Sequence, residues 1–250
     1  MKDPLAIVLA AGRGTRMKSD LPKVLFPALE RPMIHWVIDA LEKAGINKSV
    51  IVVGYRADDV KSELKDREGV DFAIQSEQLG TGHAVQMCEA QLENHDGPVL
   101  VVAGDSPMIQ AESLKKLLSE FEKGDYACLL GTLEKDDPTG LGRIVRDTSG
   151  TFSHIVEQKD ATEEEQKICE VNMSTYLFDC SALRWALGRL NSDNAQGEYY
   201  LTDCPAILLK AGKRVDAAPV LSACESLSIN TVDELGLVEA EMQRMNYSAP

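Results

Sequence analysis

No apolar run in this chain of 250 residues comes near the ~20 residues that a membrane span needs. The opening residues, MKDPLAIVLAAG, pass from a few charges straight into a strand-like run, without the build of a signal peptide. Close cysteine spacing is also missing. The six cysteines (Cys88, Cys128, Cys169, Cys180, Cys204 and Cys224) are scattered with no C-x-x-C pair. That spacing argues against a zinc site or a disulfide frame and reads as structural thiols in a reducing compartment. Basic charge is scarce: 26 Lys and Arg face 40 Asp and Glu, for a formal net charge of −14. A polyanion needs an extended basic surface, so the balance speaks against nucleic acid as a partner. No internal repeat, low-complexity linker or composition break divides the chain. The expectation is a single cytoplasmic domain over residues 1–250, with neither membrane nor nucleic acid as partner.

What is present alternates. LAIVLA, SVIVVG, VDFAIQ and PVLVVAGD read as buried strands, and YACLLGTL as another. Between them, PMIHWVIDALEKAG carries Ile34, Val37, Ile38 and Leu41 on one helical face, with Gly45 as a stop. Helices are also expected at Asp58 to Lys65, at Gly82 to Leu92 and over AESLKKLLSEFEKG. Regular βα alternation predicts an α/β fold, a mostly parallel, mixed sheet flanked by helices. After about residue 134 the rhythm changes. GRIVRD and TFSHIVEQ read as a hairpin turned at TSG, and ATEEEQK as a short acidic helix capped by Thr162. EVNMSTYLFD and RVDAAPV are expected strands; SALRWALGRL, EYYLTDCPAILLKAG and TVDELGLVEAEMQRM are expected helices.

One stretch contradicts the acidic composition. LAAGRGTRMKSDLPKVL, from Leu9 to Leu25, holds Arg13, Arg16, Lys18 and Lys23 against the lone acid Asp20. A glycine loop after a strand is where α/β proteins hold phosphates, and Gly12 and Gly14 let backbone N–H groups approach an anion. The pattern is neither of the two common ones. The Walker GK[ST] is missing, and Met17 takes the third glycine position of the dinucleotide fingerprint. Arg16 can fork onto phosphate oxygens and Lys23, held by Pro22, acts as a point charge, while Lys18 reads as solvated surface. No Ser/His/Asp or Cys/His constellation accompanies them. His35, His83, His95 and His154 are scattered and read as surface or packing residues, not ligands.

This loop resembles the signature of sugar-1-phosphate nucleotidyltransferases. Within that family the chain is most similar to the N-terminal uridyltransferase domain of the bacterial bifunctional N-acetylglucosamine-1-phosphate uridyltransferases. The likeness continues in order through QSEQLGTGHAV, GDSPM, DDPTGLGRI, IVEQKDAT, EVN and NAQGEYYLTD, and so spans nearly the whole chain. It implies the nucleotide-diphospho-sugar transferase fold, with a nucleotide half over about 1–134 and a sugar half over about 135–250. The implied reaction joins UTP and N-acetylglucosamine 1-phosphate into UDP-N-acetylglucosamine and pyrophosphate. Such chemistry asks the protein for positioning and charge neutralisation, not a covalent intermediate.

By the same resemblance, Leu9, Ala10, Ala11 and Gly12 line the nucleoside, and Gly14, Thr15 and Arg16 meet the triphosphate. Lys23 holds the α-phosphate in the transition state. Gln75 and Gly80 read uracil, the carboxamide supplying both a donor and an acceptor, with Thr81 beside them. Asp105 and Asn230 hold Mg²⁺, a hard cation suited to oxygen ligands. Asp105, at the end of an apolar run, also reads as a turn acid, and Asn230 as a helix cap. Ala103, Gly104, Gly142, Glu157 and Asn172 fall to the sugar. Glu198, Tyr199 and Asp203 match a family motif without an evident role.

The departures cluster on the sugar side. Ala103 and Leu141 stand where the family carries tyrosines, and Met173 and Ser174 replace the usual Thr-Gly after Asn172. The residues include no hexapeptide repeat, so the resemblance carries over neither acetyl transfer nor a trimer. Two other readings therefore stand beside the first. One is a glucose-1-phosphate uridylyl- or thymidylyltransferase, because uracil and thymine share the edge that Gln75 would read. The other is a non-catalytic protein that binds a sugar nucleotide for regulation.

Overall fold

Strand β1 (Leu5–Ala10) is apolar throughout because it lies between two parallel neighbours and is covered on both faces. The computed structural model describes residues 2–14, 17, 19–227, 229 and 231–247. After the glycine loop, a short 3₁₀ turn (Lys23–Leu25) leads into a tight hairpin of β2 (Pro27–Ala28) and β3 (Arg31–Pro32). Leu29 and Glu30 turn that hairpin with φ of 50° and 62°. Positive φ at both central residues is the geometry that twist-matched hairpin turns need. Nothing in the sequence reading anticipates it, since neither residue is Gly or Asn.

The βα rhythm then follows expectation through α1 (Met33–Lys43), β4 (Ser49–Val53), α2 (Ala57–Glu63) and β5 (Val70–Ile74). The single helix expected from Gly82 to Leu92 is two: α3 (Thr81–Gln86) and α4 (Glu89–Glu93). At the break, Cys88 N–H donates to Val85 O at 3.0 Å, a bond to the i−3 carbonyl that tightens the turn. Beyond it come β6 (Pro98–Ala103), α5 (Ala111–Glu122) and β7 (Cys128–Glu134). β8 (Gly142–Arg146) and β9 (Phe152–Val156) form the expected antiparallel hairpin. The acidic helix is a 3₁₀ turn (Glu165–Lys167) whose N-cap is Glu164, not the expected Thr162; Glu165 N–H still donates to Thr162 Oγ1 at 3.3 Å, two residues before that cap.

β10 (Glu170–Asp179) leads into α6 (Cys180–Leu187), whose N-cap Asp179 accepts from Ala182 N–H. α7 (Asp203–Lys210) starts later than EYYLTD suggests, because the residues before it bond to another loop, described below. β11 (Val215–Ala218) and α8 (Val232–Arg244) complete the chain, and α8 opens with a capping box between Thr231 and Glu234.

The main sheet runs β11-β7-β10-β6-β1-β4-β5, parallel except that β10 is antiparallel to β6 and β7. Alternate residues feed two cores. Ile7, Val50, Val52, Val99 and Val101 face one layer, with Leu183 of α6 and Leu208 of α7. Ala6, Val8, Ile51, Val53 and Leu100 face the other, with Ile34 of α1 and Leu114 of α5. Double coverage is why these strands read as continuous apolar runs. Cys88, Cys128 and Cys204 sit inside the first core, where burial pushes their thiols up, Cys88 to about 12. Among the described residues no helix is long and apolar enough to cross a membrane.

Candidate active site

Leu9, Ala10, Gln75, Ala103 and Asp105 lie at or just past the carboxyl ends of the parallel strands β1, β5 and β6. Leu9 pairs with Ala103 across β1 and β6, and Gly104 N–H donates to Leu9 O at 2.9 Å. Tyr55 N–H donates to Ala11 O at 3.2 Å, so the chain leaving β1 is tied to both neighbouring strand ends. At Gly12 a Cβ would meet no atom of the described residues within 4 Å, so none of them covers its backbone. Gly14 answers a different need. Its φ is +65°, and a Cβ there would lie 2.8 Å from Lys23 Cβ. Glycine at 14 therefore lets the lysine stem cross the loop.

Lys23 is fixed by what surrounds it: Pro22 precedes the 3₁₀ turn, and Val24 and Leu25 are buried. Its Nζ makes an ion pair with Asp105, with side chains 13% and 26% exposed. A lysine and a carboxylate far apart in sequence thus meet at the mouth of the glycine loop. Arg13 lies over the Tyr55 ring, 5.1 Å from its centre. Thr15, Arg16, Lys18 and Asn230 lie outside the described residues.

The loop expected to read the base is held by several hydrogen bonds. Gln75 is 3% exposed, and its Nε2 donates to Gly80 O at 3.0 Å and lies 3.1 Å from His83 Nδ1. Gly80 has φ +112°, and a Cβ there would fall 2.5 Å from Tyr199 O. Tyr199 N–H donates to Leu79 O and Gly82 N–H to Tyr199 O, each at 2.8 Å, while Leu201 N–H donates to Thr81 Oγ1 at 3.0 Å. The segment from Glu198 to Leu201 is a backbone clamp on the loop at 79–82, which gives the unassigned motif a structural part. Sequence reasoning missed this contact and the His83 bond. Their only trace was that LGTGHA and GEYYLTD both looked like family motifs.

On the sugar side, Gly142 and Asn172 are register partners between β8 and β10. A Cβ on Gly142 would sit 3.5 Å from Asn172 Cβ and 3.6 Å from Glu157 Oε2, so these three expected residues do converge. Asn172 is buried and its Nδ2 donates to the Tyr176 hydroxyl at 2.6 Å. Burial raises the Glu157 carboxyl above its ordinary range; Asp160 and Asp203 add to this, and a hydrogen bond from Thr202 opposes it. Arg143, 1% exposed, donates to Leu141 O and, at 2.8 Å, to Gln158 Oε1, bracing the turn before Gly142. Ser174 holds φ 52° at a bulge beside Asn172, a conformation that glycine would adopt without strain. Ala103 and Met173, two of the departures, line one cavity of about 10 Å³ with Thr175 and Glu225.

The register of β10 on β6, Tyr176 opposite Val101, carries Asn172 beyond the end of β6, to the edge where Asp105 emerges. The residues expected on the nucleotide side and those expected on the sugar side therefore share one edge of the sheet. Two surface cavities of about 320 and 650 Å³ contain none of them; the second, by Tyr126, Asp179 and Trp185, lies at the opposite edge.

The MobA-like NTP transferase domain matches residues 6–168. The chain belongs to that family. The MobA-like domain takes in the glycine loop, the base loop, Asp105 and the β8–β9 hairpin. Relatives named bifunctional protein GlmU are 46% identical over 246 residues in Streptococcus mutans and 44% over 239 in an Exiguobacterium species. These alignments cover 97% and 96% of this chain but 53% and 52% of the relatives, so the chain spans about half their length. A Bacillus anthracis protein solved in complex with sucrose superposes with a TM-score of 0.80 at 21% identity, covering 98% of each chain. UDP-glucose pyrophosphorylase complexed with UDP-glucose gives 0.78 at 18%, over 98% of this chain and 100% of that one. At such identities the match speaks for the fold: that of the nucleotide-diphospho-sugar transferases, as the sequence led us to expect.

Nucleotidyltransferases of this family generally use a divalent metal. Among the described residues no three His, Cys, Asp or Glu side chains are placed to share one. Asp105 offers one hard carboxylate beside the phosphate loop, with the Lys23 ammonium as its present cationic partner. That donor fits a small divalent ion that takes its other ligands from water and phosphates.

Proposed function

We propose that the chain is a Mg²⁺-dependent uridylyltransferase joining UTP to N-acetylglucosamine 1-phosphate, with release of pyrophosphate. The observation that carries this reading is the shared sheet edge: the Lys23–Asp105 pair, the Gln75–Gly80 loop and the Gly142–Glu157–Asn172 cluster all open there. A family match alone would suit many nucleotidyl transfers; the half-buried carboxylate and buried amide of the third cluster favour a polyhydroxyl acceptor.

In this reading, residues up to about 134 hold the nucleotide and those from about 135 the sugar phosphate. Backbone from Leu9 to Gly12 lies along the nucleoside. Gly14, Thr15 and Arg16 meet the triphosphate, and Gln75, Gly80 and Thr81 meet the base. An oxygen of the sugar phosphate attacks the α-phosphorus in line. The bond to the bridging oxygen breaks, and its electron pair leaves with pyrophosphate. Lys23 stabilises the charge that builds on the α-phosphate, and its stem is already fixed by Pro22 and Gly14 before substrate arrives. Asp105 and Asn230 would hold Mg²⁺, which when bound neutralises phosphate charge. Ala103, Gly104, Gly142, Glu157 and Asn172 orient the sugar. A cytoplasmic setting follows from substrates of this class.

The test is pyrophosphate release with UTP, dTTP, CTP and GTP, each against N-acetylglucosamine 1-phosphate and glucose 1-phosphate. UTP with the N-acetyl sugar should be fastest. Faster turnover of glucose 1-phosphate would move the assignment to that acceptor. No turnover with any pair would leave a binding protein.

A further inference from the structure

We infer that His83 is a specificity-positioning residue: its Nδ1 accepts from the Gln75 carboxamide and so turns the amide oxygen toward the base. The inference rests on the uridylyl reading of the site. It begins from a count of donors. A carboxamide nitrogen has two N–H groups. Here one goes to Gly80 O and the other faces His83 Nδ1. The reverse orientation would set the amide oxygen against the Gly80 carbonyl, so the hydrogen bonds assign the amide. With both N–H groups taken, Oε1 is the atom left to read a ligand, so the amide offers an acceptor and not the donor-and-acceptor pair expected from the sequence. An acceptor there suits the N3–H of uracil or thymine and repels the unprotonated N3 of cytosine.

The same logic assigns the histidine. Nδ1 must be unprotonated to accept, so the proton is on Nε2. His83 lies on α3 and Gln75 just past β5, and the clamp from Tyr199 supports both, with its ring 6.5 Å from the imidazole. Without His83 the amide keeps one acceptor of two, and its orientation is held by Gly80 alone. Packing by itself gives no reason for a ring nitrogen to face a 3%-exposed amide.

The experiment compares the wild type with His83→Phe and His83→Asn. Phenylalanine keeps a ring against Tyr199 and removes the acceptor. Asparagine places Oδ1 where Nδ1 stood. Turnover is measured with UTP and with CTP as substrate or competitor, using one sugar phosphate throughout. One net hydrogen bond corresponds to about three- to tenfold in discrimination. His83→Phe should lower the preference for UTP over CTP by about that factor, and His83→Asn should restore it to within about twofold. Nitrogen-15 NMR of the wild-type imidazole should show Nδ1 without a proton. Equal losses with both nucleotides in His83→Phe, an asparagine variant no better than phenylalanine, or a proton on Nδ1 would each overturn the inference. A wild type that ignores UTP would sink the uridylyl reading, while the tautomer would still decide the bond to Gln75.

Discussion

Replacing Gly12 by alanine separates a binding role from a folding role at one atom. Among the described residues no atom lies within 4 Å of where a Cβ at this position would be, and its φ lies outside the left-handed region. Alanine then removes unfolded-chain freedom at no steric cost, which stabilises by about 0.4–1 kcal/mol. For a chain of this size that raises the unfolding midpoint by roughly 1–4 °C. If the empty space above Gly12 is where a nucleotide meets the backbone, the methyl group pushes it out. A displacement of about 1 Å from an attacking geometry costs on the order of 10²-fold in rate. Thermal unfolding without ligand and pyrophosphate release against UTP concentration measure the two effects on the same sample. The expected pair is an unchanged or higher midpoint with a large loss in kcat/KM. Wild-type kinetics would refute the placement of nucleotide on this loop, and a lowered midpoint would refute the claim that the space is free. Gly80→Ala is the contrasting control: a Cβ 2.5 Å from Tyr199 O should damage fold and turnover together.

Lys23→Ala and Asp105→Asn should each lower kcat by about 10²-fold or more if they act on the transition state, with the unfolding midpoint little changed because the pair is partly solvated; turnover near wild type in both would end the proposed mechanism. Glu157→Gln should raise the unfolding midpoint at neutral pH while weakening use of the sugar phosphate. The folded state holds the Glu157 proton more tightly than the unfolded chain, so the charged carboxylate costs stability above its raised pKa. The advantage of the glutamine variant should shrink as pH falls through that window to the ordinary glutamate value; melting curves across pH report it, and an unchanging gap would exclude linkage. Glu30→Gly should stabilise by about 1 kcal/mol without touching turnover, since Glu30 is exposed and holds φ 62° in the β2–β3 turn; chemical denaturation decides it.

Much of this architecture is a local property of the chain. The buried strands announce themselves because helices cover both faces of the sheet, so every position from Leu5 to Val8 and from Val50 to Val53 must be apolar. The phosphate loop is legible for a similar reason: glycines, Pro22 and clustered cations act within a few residues of one another. Lys23 and Asp105 could each be nominated alone, from a loop and from a strand end.

What the sequence could not determine is how distant segments meet. Glycine at 14 answers to the stem of Lys23 and glycine at 80 to the backbone of Tyr199, and neither neighbour is adjacent in the chain. Leu201 and Thr81 are bonded across 120 residues, which shortens α7 and clamps the base loop. Leu29, Glu30 and Ser174 accept positive φ because packing holds them there, against their own preference. The bond from Gln75 to His83 leaves no periodic mark either, since it joins a strand end to a helix through side chains alone. Hydrophobic period and turn chemistry are short-range signals, so they determine the elements and the character of each loop. Register and long-range hydrogen bonds depend on the folded whole, and they alone brought the base loop, the Lys23–Asp105 pair and the Gly142–Glu157–Asn172 cluster to one edge.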